Sequence, residues 1–184
     1  MRKKKNTGVI VSIFLAVLMV SSIAGYIANQ NSGSIRYKGK KFTQTTDGWK
    51  TTIDGQTHYF AYAPPEVESI DFPSMNLQSA VEIDMTYDPL DRYKESIAQS
   101  LFELSSSLGQ KKIYLRQGFT SKNEFGLPII TCNDSSATVP VISFRDSNTT
   151  GIRQENNCLI VESNNDQSFR FYADRIAYHI LGVI

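Results

Sequence analysis

The sequence predicts a mixed α/β (α+β) domain carried behind an N-terminal membrane-spanning helix. Three observations lead there. Residues 7–28 (TGVIVSIFLAVLMVSSIAGYIA) carry no charged side chain. Asp54-Gly55 separates two β-rich runs, the mark of a tight antiparallel hairpin. From 81 to 116 the pattern reads strand, helix, strand, which is a β-α-β unit.

At about 1.5 Å per residue, a helix over 7–28 is roughly 33 Å long, enough to cross a hydrocarbon core of about 30 Å. In lipid a single segment satisfies its own backbone only as a helix. Residues 1–6, with Arg2, Lys3, Lys4 and Lys5, then form a basic cytoplasmic stub. Residues 29–34 (NQNSGS) form a polar linker, and 35–184 an extracytoplasmic domain. Arg36, Lys38, Lys40 and Lys41 also flank the span, but the first group is denser and adds the amino terminus. The competing reading is a cleaved secretory signal, for which Ser22-Ile23-Ala24 supplies small residues.

Of 19 basic residues, four lie in the stub, so 15 face 18 acidic ones beyond it, a net charge near −3. That balance gives no reason to expect a nucleic-acid partner. Abundant aromatic and β-branched residues argue against disorder.

Within the domain, Ile35–Phe42 alternates as a strand that places Arg36, Lys38 and Lys40 on one face. That face is read as solvated edge protection, or as a contact with anionic headgroups. Asp47-Gly48 and Asp54-Gly55 are hairpin-turn dipeptides, so Trp49–Ile53 pairs with Gln56–Ala63 until Pro64-Pro65 stops the ladder. Glu66–Ile70 is a helical turn. Val81–Tyr87 alternates as a half-buried strand. Asp88-Pro89 reads as the cap and first residue of a helix reaching Leu108, with Gly109 just past its end. Lys112–Arg116, Ile129–Cys132, Val139–Phe144 and Cys158–Glu162 read as further strands. Asn165 or Asp166 opens a final helix whose stripe is Phe169, Tyr172, Ile176, Ile180 and Val183. The result is a mixed sheet with a hairpin or meander at its start and a C-terminal helix packed on it.

Cys132 and Cys158 are the only cysteines. An even pair in a chain facing an oxidising exterior reads as a disulfide closing an Asn-rich excursion. Two buried free thiols, or a nucleophile beside His58 or His179, are the other readings. Asn133-Asp134-Ser135 and Asn148-Thr149-Thr150 are glycosylation sequons, making Asn133 and Asn148 candidate acceptors. His58 and His179 read as surface or satisfied core histidines. Glu66, Glu68 and Asp71, and Asp84, Asp88 and Asp91, are the carboxylates an acid/base site would draw on, but Asp88 and Asp91 already serve a helix start. Trp49, Tyr59, Phe60 and Tyr62 make the hairpin aromatic, for cross-strand packing or for a glycan or protein contact. No dinucleotide, Walker A, nucleophile-elbow, S-x-x-K, H-E-x-x-H or C-x-x-C motif occurs, and no cofactor or metal site is expected.

The basic stub, the apolar run, Gly48-Trp49-Lys50…Asp54-Gly55, Asn157-Cys158-Leu159-Ile160-Val161 and the ending Asp174-Arg175-Ile176-Ala177-Tyr178-His179-Ile180-Leu181-Gly182 resemble uncharacterised archaeal single-pass membrane proteins. The resemblance implies a membrane location and carries no catalytic residue across. The expected role is binding or scaffolding of another envelope protein by a tethered domain. The alternatives are a cell-surface hydrolase using Cys or paired carboxylates, a secreted domain after signal cleavage, and a pilin-like subunit, the last disfavoured by the polar linker.

Overall fold

The protein divides into two compact units, Met1–Ser34 and Ile35–Ile184. The computed structural model describes residues 11–19, 33–109 and 111–184. In the first unit, residues 11–19 are helical (α1) with every side chain exposed. The rest of the predicted anchor, 7–10 and 20–28, lies outside the described residues, as do the stub 1–6 and linker residues 29–32. Among the described residues no helix is long and apolar enough to cross a membrane, so the predicted span is not shown.

The second unit holds two sheets where one was anticipated. Sheet A is an antiparallel meander of β1 (Ser34–Tyr37), β2 (Lys40–Thr45), β3 (Gly48–Ile53) and β4 (Gln56–Phe60), in that spatial order. The predicted single strand from Ile35 to Phe42 is in fact two, because Lys38 and Gly39 turn the chain at φ 44° and 81°. Arg36, Lys38 and Lys40 therefore do not share a face. The Asp54-Gly55 turn forms as predicted, at φ 52° and 80°, and pairs Lys50 with Tyr59 and Thr52 with Thr57. Helix α2 (Pro64–Val67) starts two residues ahead of the predicted turn. Its prolines suit the first positions, and the Glu66 carboxylate accepts the Ala63 N–H at 2.5 Å.

Sheet B is mixed, in the order β6-β5-β7-β9-β8. Its strands are β5 (Glu82–Tyr87), β6 (Tyr114–Phe119), β7 (Val141–Asp146), β8 (Gly151–Glu155) and β9 (Cys158–Ser163). All neighbours run parallel except β8 against β9. The predicted β-α-β unit is present as β5, α3 (Lys94–Leu108) and β6. Edge strand β8 escaped prediction because GIRQE offers a single large apolar residue, and its exposed charges suit an edge. The predicted strand Ile129–Cys132 reduces to one bridge, Phe119 to Ile129, and a 3-10 turn at Cys132–Asp134. The Thr131 N–H and hydroxyl both donate to the Asp134 carboxylate, at 2.7 and 2.8 Å, and so curl the chain there.

Helix α3 begins five residues later than predicted. Asp88 and Asp91 turn back on the backbone N–H groups of Leu90 and Tyr93, at 2.9 and 2.8 Å, instead of opening the helix. Gly109 caps the far end at φ −57°, not in a left-handed conformation. Helix α4 (Asp166–Ile180) is capped as expected by Asn165, whose side chain accepts the Gln167 N–H at 2.9 Å.

The two long helices pack on each other between the sheets. On the sheet A side, Phe60 stacks on Tyr178 at 4.1 Å and Phe42 meets it edge-on at 5.9 Å. On the sheet B side, Phe169 lies 6.2 Å from Phe144, above Ile83, Met85, Leu159 and Val161. The second sheet explains why residues 172–178 of α4 are all buried, Asp174 and Arg175 included, where one apolar stripe was expected. The far face of sheet B is covered in turn. The segment after β6 crosses it and seals a small core of Ile130, Val141, Cys158 and Ile160. A Cβ on Gly118 would lie 2.6 Å from the Pro128 carbonyl oxygen, so this crossing needs glycine. Strand β5 is therefore covered on both faces rather than half-buried, and Asp84 and Thr86 lie inside.

Candidate functional site

Strand β5 has β6 on one side and β7 on the other, all parallel. The chain leaves β5 toward β6 and leaves β7 toward β8 and β9. Such a reversal opens a crevice at the carboxyl ends of the strands, the usual ligand position in open α/β sheets. Two hollows flank the end of β5, one beside β6 and the other at the reversal itself, beside β7. One, of about 590 Å³, is floored by Tyr87 and Phe119 and rimmed by Leu90, Lys94, Lys122 and Phe125. The other, of about 470 Å³, is lined by Asp88, Asp91, Cys132, Asn133, Arg145 and Asp146.

Local hydrogen bonds hold the rims of the larger hollow in place. The Asn123 side-chain oxygen Oδ1 accepts the N–H groups of Phe125 and Leu127, both at 3.1 Å, and its Nδ2 donates to the Leu127 carbonyl at 2.9 Å. Phe125 is thereby carried out into solvent, and Leu90 is held opposite on the Asp88 turn. Tyr87 and Phe119 meet edge-on at 4.9 Å, and burial and then Glu95 raise the Tyr87 phenol above its ordinary value. In the second hollow the carboxylates already have partners. Asp91 accepts the Asp146 N–H at 2.8 Å, and Asp146 accepts from Arg92 at 2.7 Å.

The predicted disulfide is present: Cys132 and Cys158 are joined, with S–S 2.00 Å and Cα atoms 5.2 Å apart across 26 residues. It ties the crossing segment to the first residue of β9, a central strand. Neither sulfur is a thiolate, which removes the cysteine nucleophile from the hydrolase alternative. Asn133 and Asn148 are both exposed, in the 3-10 turn and in the β7–β8 connection. His58 is buried, with Nδ1 2.6 Å from the Ser107 carbonyl oxygen. His179 stacks on Phe72 at 4.2 Å and bonds the Met75 carbonyl at 2.9 Å. Burial holds the His179 imidazole below its ordinary value, with Arg175 adding to this and the Met75 bond opposing it. The carboxylates do not converge. Glu66 caps α2, Glu68 lies 3.9 Å from Lys38, Asp71 is exposed, and Asp84 is locked to Arg116 by two bonds of 2.7 and 2.6 Å. Among the described residues no group of three or more His, Cys, Asp or Glu side chains is arranged to hold a metal ion.

The aromatic hairpin divides between core and surface. Phe60 is buried, Tyr62 packs edge-on against Phe171 at 5.0 Å, and Tyr59 is exposed. Trp49 is half-buried at the wall of a third hollow, of about 350 Å³, between sheet A and the helices. Gly48 sets that wall: at φ +145°, a Cβ there would lie 2.1 Å from the Phe60 carbonyl oxygen. The same hollow takes in Phe102, Arg170 and Asp174, none of which was singled out from the sequence. Phe102 left a usable sign, since it stands off the α3 seam of Ile97, Leu101, Leu104 and Leu108. Burial pushes the Asp174 carboxyl up to about 7, against the N–H groups of Tyr62 and Ala61 that pull it down. No protein-family model matches the chain, and no curated protein or solved structure matches it either.

Proposed function

We propose that this chain is a membrane-tethered protein whose domain, 35–184, stands outside the cytoplasm and binds or scaffolds another component of the cell envelope. One observation carries the reading, the Cys132–Cys158 bond. A disulfide that clamps a covering segment onto a central strand is a structural bond, and such bonds persist in oxidising compartments. The uncharged run 7–28 behind a basic stub supplies the tether, and the exposed Asn133 and Asn148 are open to a glycosyltransferase. The resemblance to archaeal single-pass membrane proteins supports the same placement. The hollow at the carboxyl ends of β5 and β6, with Leu90 and Phe125 held out on braced loops, supports binding.

Protease protection tests the placement. In intact cells or spheroplasts, external protease removes a C-terminal epitope, while a cytoplasmic marker survives. Non-reducing mass spectrometry finds the 132 and 158 peptides linked, two hydrogens lighter than the reduced pair. An epitope protected until lysis, with both cysteines open to alkylation, overturns the reading.

A further inference from the structure

Three aromatic side chains from three elements meet at the 350 Å³ groove: Trp49 of β3, Tyr59 of β4 and Phe102 of α3. Tyr59 and Phe102 are 62% and 64% exposed, whereas most other described rings of the domain are buried or half-buried. Beside them lies an ordered polar pair. The Arg170 Nε donates to the Glu103 carboxylate at 2.6 Å, and the Gln99 amide donates to its other oxygen at 2.9 Å. Asp47 and Ser106 stand on the rim.

We propose that this groove binds a neutral saccharide chain. A sugar ring offers a flat C–H face and a rim of hydroxyls that both donate and accept. Its recognition calls for aromatic planes next to planar polar groups of both kinds. The groove supplies both. Guanidinium and carboxylate are already fixed by each other, so their remaining donor and acceptor positions stay in place for a ligand. Charge narrows the class further. Glu103 offsets Arg170 and Asp47 adds a negative charge at the rim, which disfavours anions. Glu103 is paired and Asp174 is bonded to backbone, which leaves little for a cation caged by the rings. This site is separate from the crevice of sheet B, and its test does not depend on which side of a membrane the domain faces.

Trp49 is the only tryptophan in the chain, and it lines the groove, so its emission reports occupancy. Full-length protein in lipid nanodiscs, free of glycoside detergent, is screened on an array of neutral glycans and then titrated with the best tetrasaccharide. The expected result is a saturable change in Trp49 emission. Phe102→Ala or Tyr59→Ala weakens it about ten-fold while the melting temperature holds, since both rings face solvent. Absence of binding to every glycan overturns the proposal. So does a response that survives the double variant, or one produced equally by tetramethylammonium.

Discussion

Arg116 and Asp84 form the most asymmetric ion pair in the domain. The carboxylate side chain is 1% exposed and the guanidinium 45%. Removing the arginine strands a charge in the interior; removing the carboxylate leaves a cation that water can reach. Arg116→Met is therefore expected to cost about 3 kcal/mol, and Asp84→Asn clearly less, because an unpaired buried charge is the larger penalty. Chemical denaturation of both variants checks the order, and equal losses would refute it. From sequence this pair was invisible. Asp84 and Arg116 are 32 positions apart and meet only because β5 and β6 come into register. The disulfide was legible, since two cysteines allow one intramolecular pairing. Phe102 was half-legible, as a ring off its helix seam whose neighbours lie on other elements.

At the scale of elements, signals carried by adjacent residues were read well, and those set by distant partners were not. The Asp54-Gly55 hairpin, the β-α-β unit and the Asn165 cap each depend on a few neighbours. The start of α3 does not, because the Asp91 carboxylate that seemed to open a helix is held by the Asp146 N–H, 55 residues away. Ile129–Cys132 is the local exception: it has strand composition, but Asp134, three residues past Thr131, closes a turn there. The segment that crosses sheet B is the element most dependent on covalent support. By loop-closure entropy across 26 residues, replacing Cys132 and Cys158 by serine is expected to cost about 3–4 kcal/mol. Hydrogen exchange should then show Ile130 and its neighbours opening first, ahead of sheet A. Uniform loss of protection in both sheets would mean that the bond supports the whole domain rather than this cover.

For the whole molecule, buried Asp174 and half-buried His179 on α4 pull stability in opposite directions with pH. Asp174 is raised to about 7, so its contribution is complete below the unfolded value near 4 and is lost as pH rises through about 7. His179 is lowered, so its contribution is complete above the ordinary histidine value and is lost as pH falls through the folded one. Asp174→Asn removes the first limb. The variant's melting temperature is expected to climb with pH toward neutrality and then hold, while the parent declines over the same range. Between pH 3 and pH 8 the parent's stability relative to the variant should fall by an amount on the order of 4 kcal/mol. Parallel curves would show that Asp174 does not titrate between those limits. The three-layer arrangement behind these shifts was not readable in the sequence, since one apolar stripe on α4 predicts a single sheet and not two.

The order of strands in sheet B has a consequence for how the chain is assembled. Strand β8 is made before β9, yet its only neighbour is β9, which slides between it and β7. As the polypeptide emerges, β8 must wait, unpaired, for the segment that follows it. Cys158 is the leading residue of that late arrival, so the bond to Cys132 closes in its native place only once the gap is filled. An oxidant acting on the growing chain would thus seal the last strand in position, like a bolt shot after the door is shut.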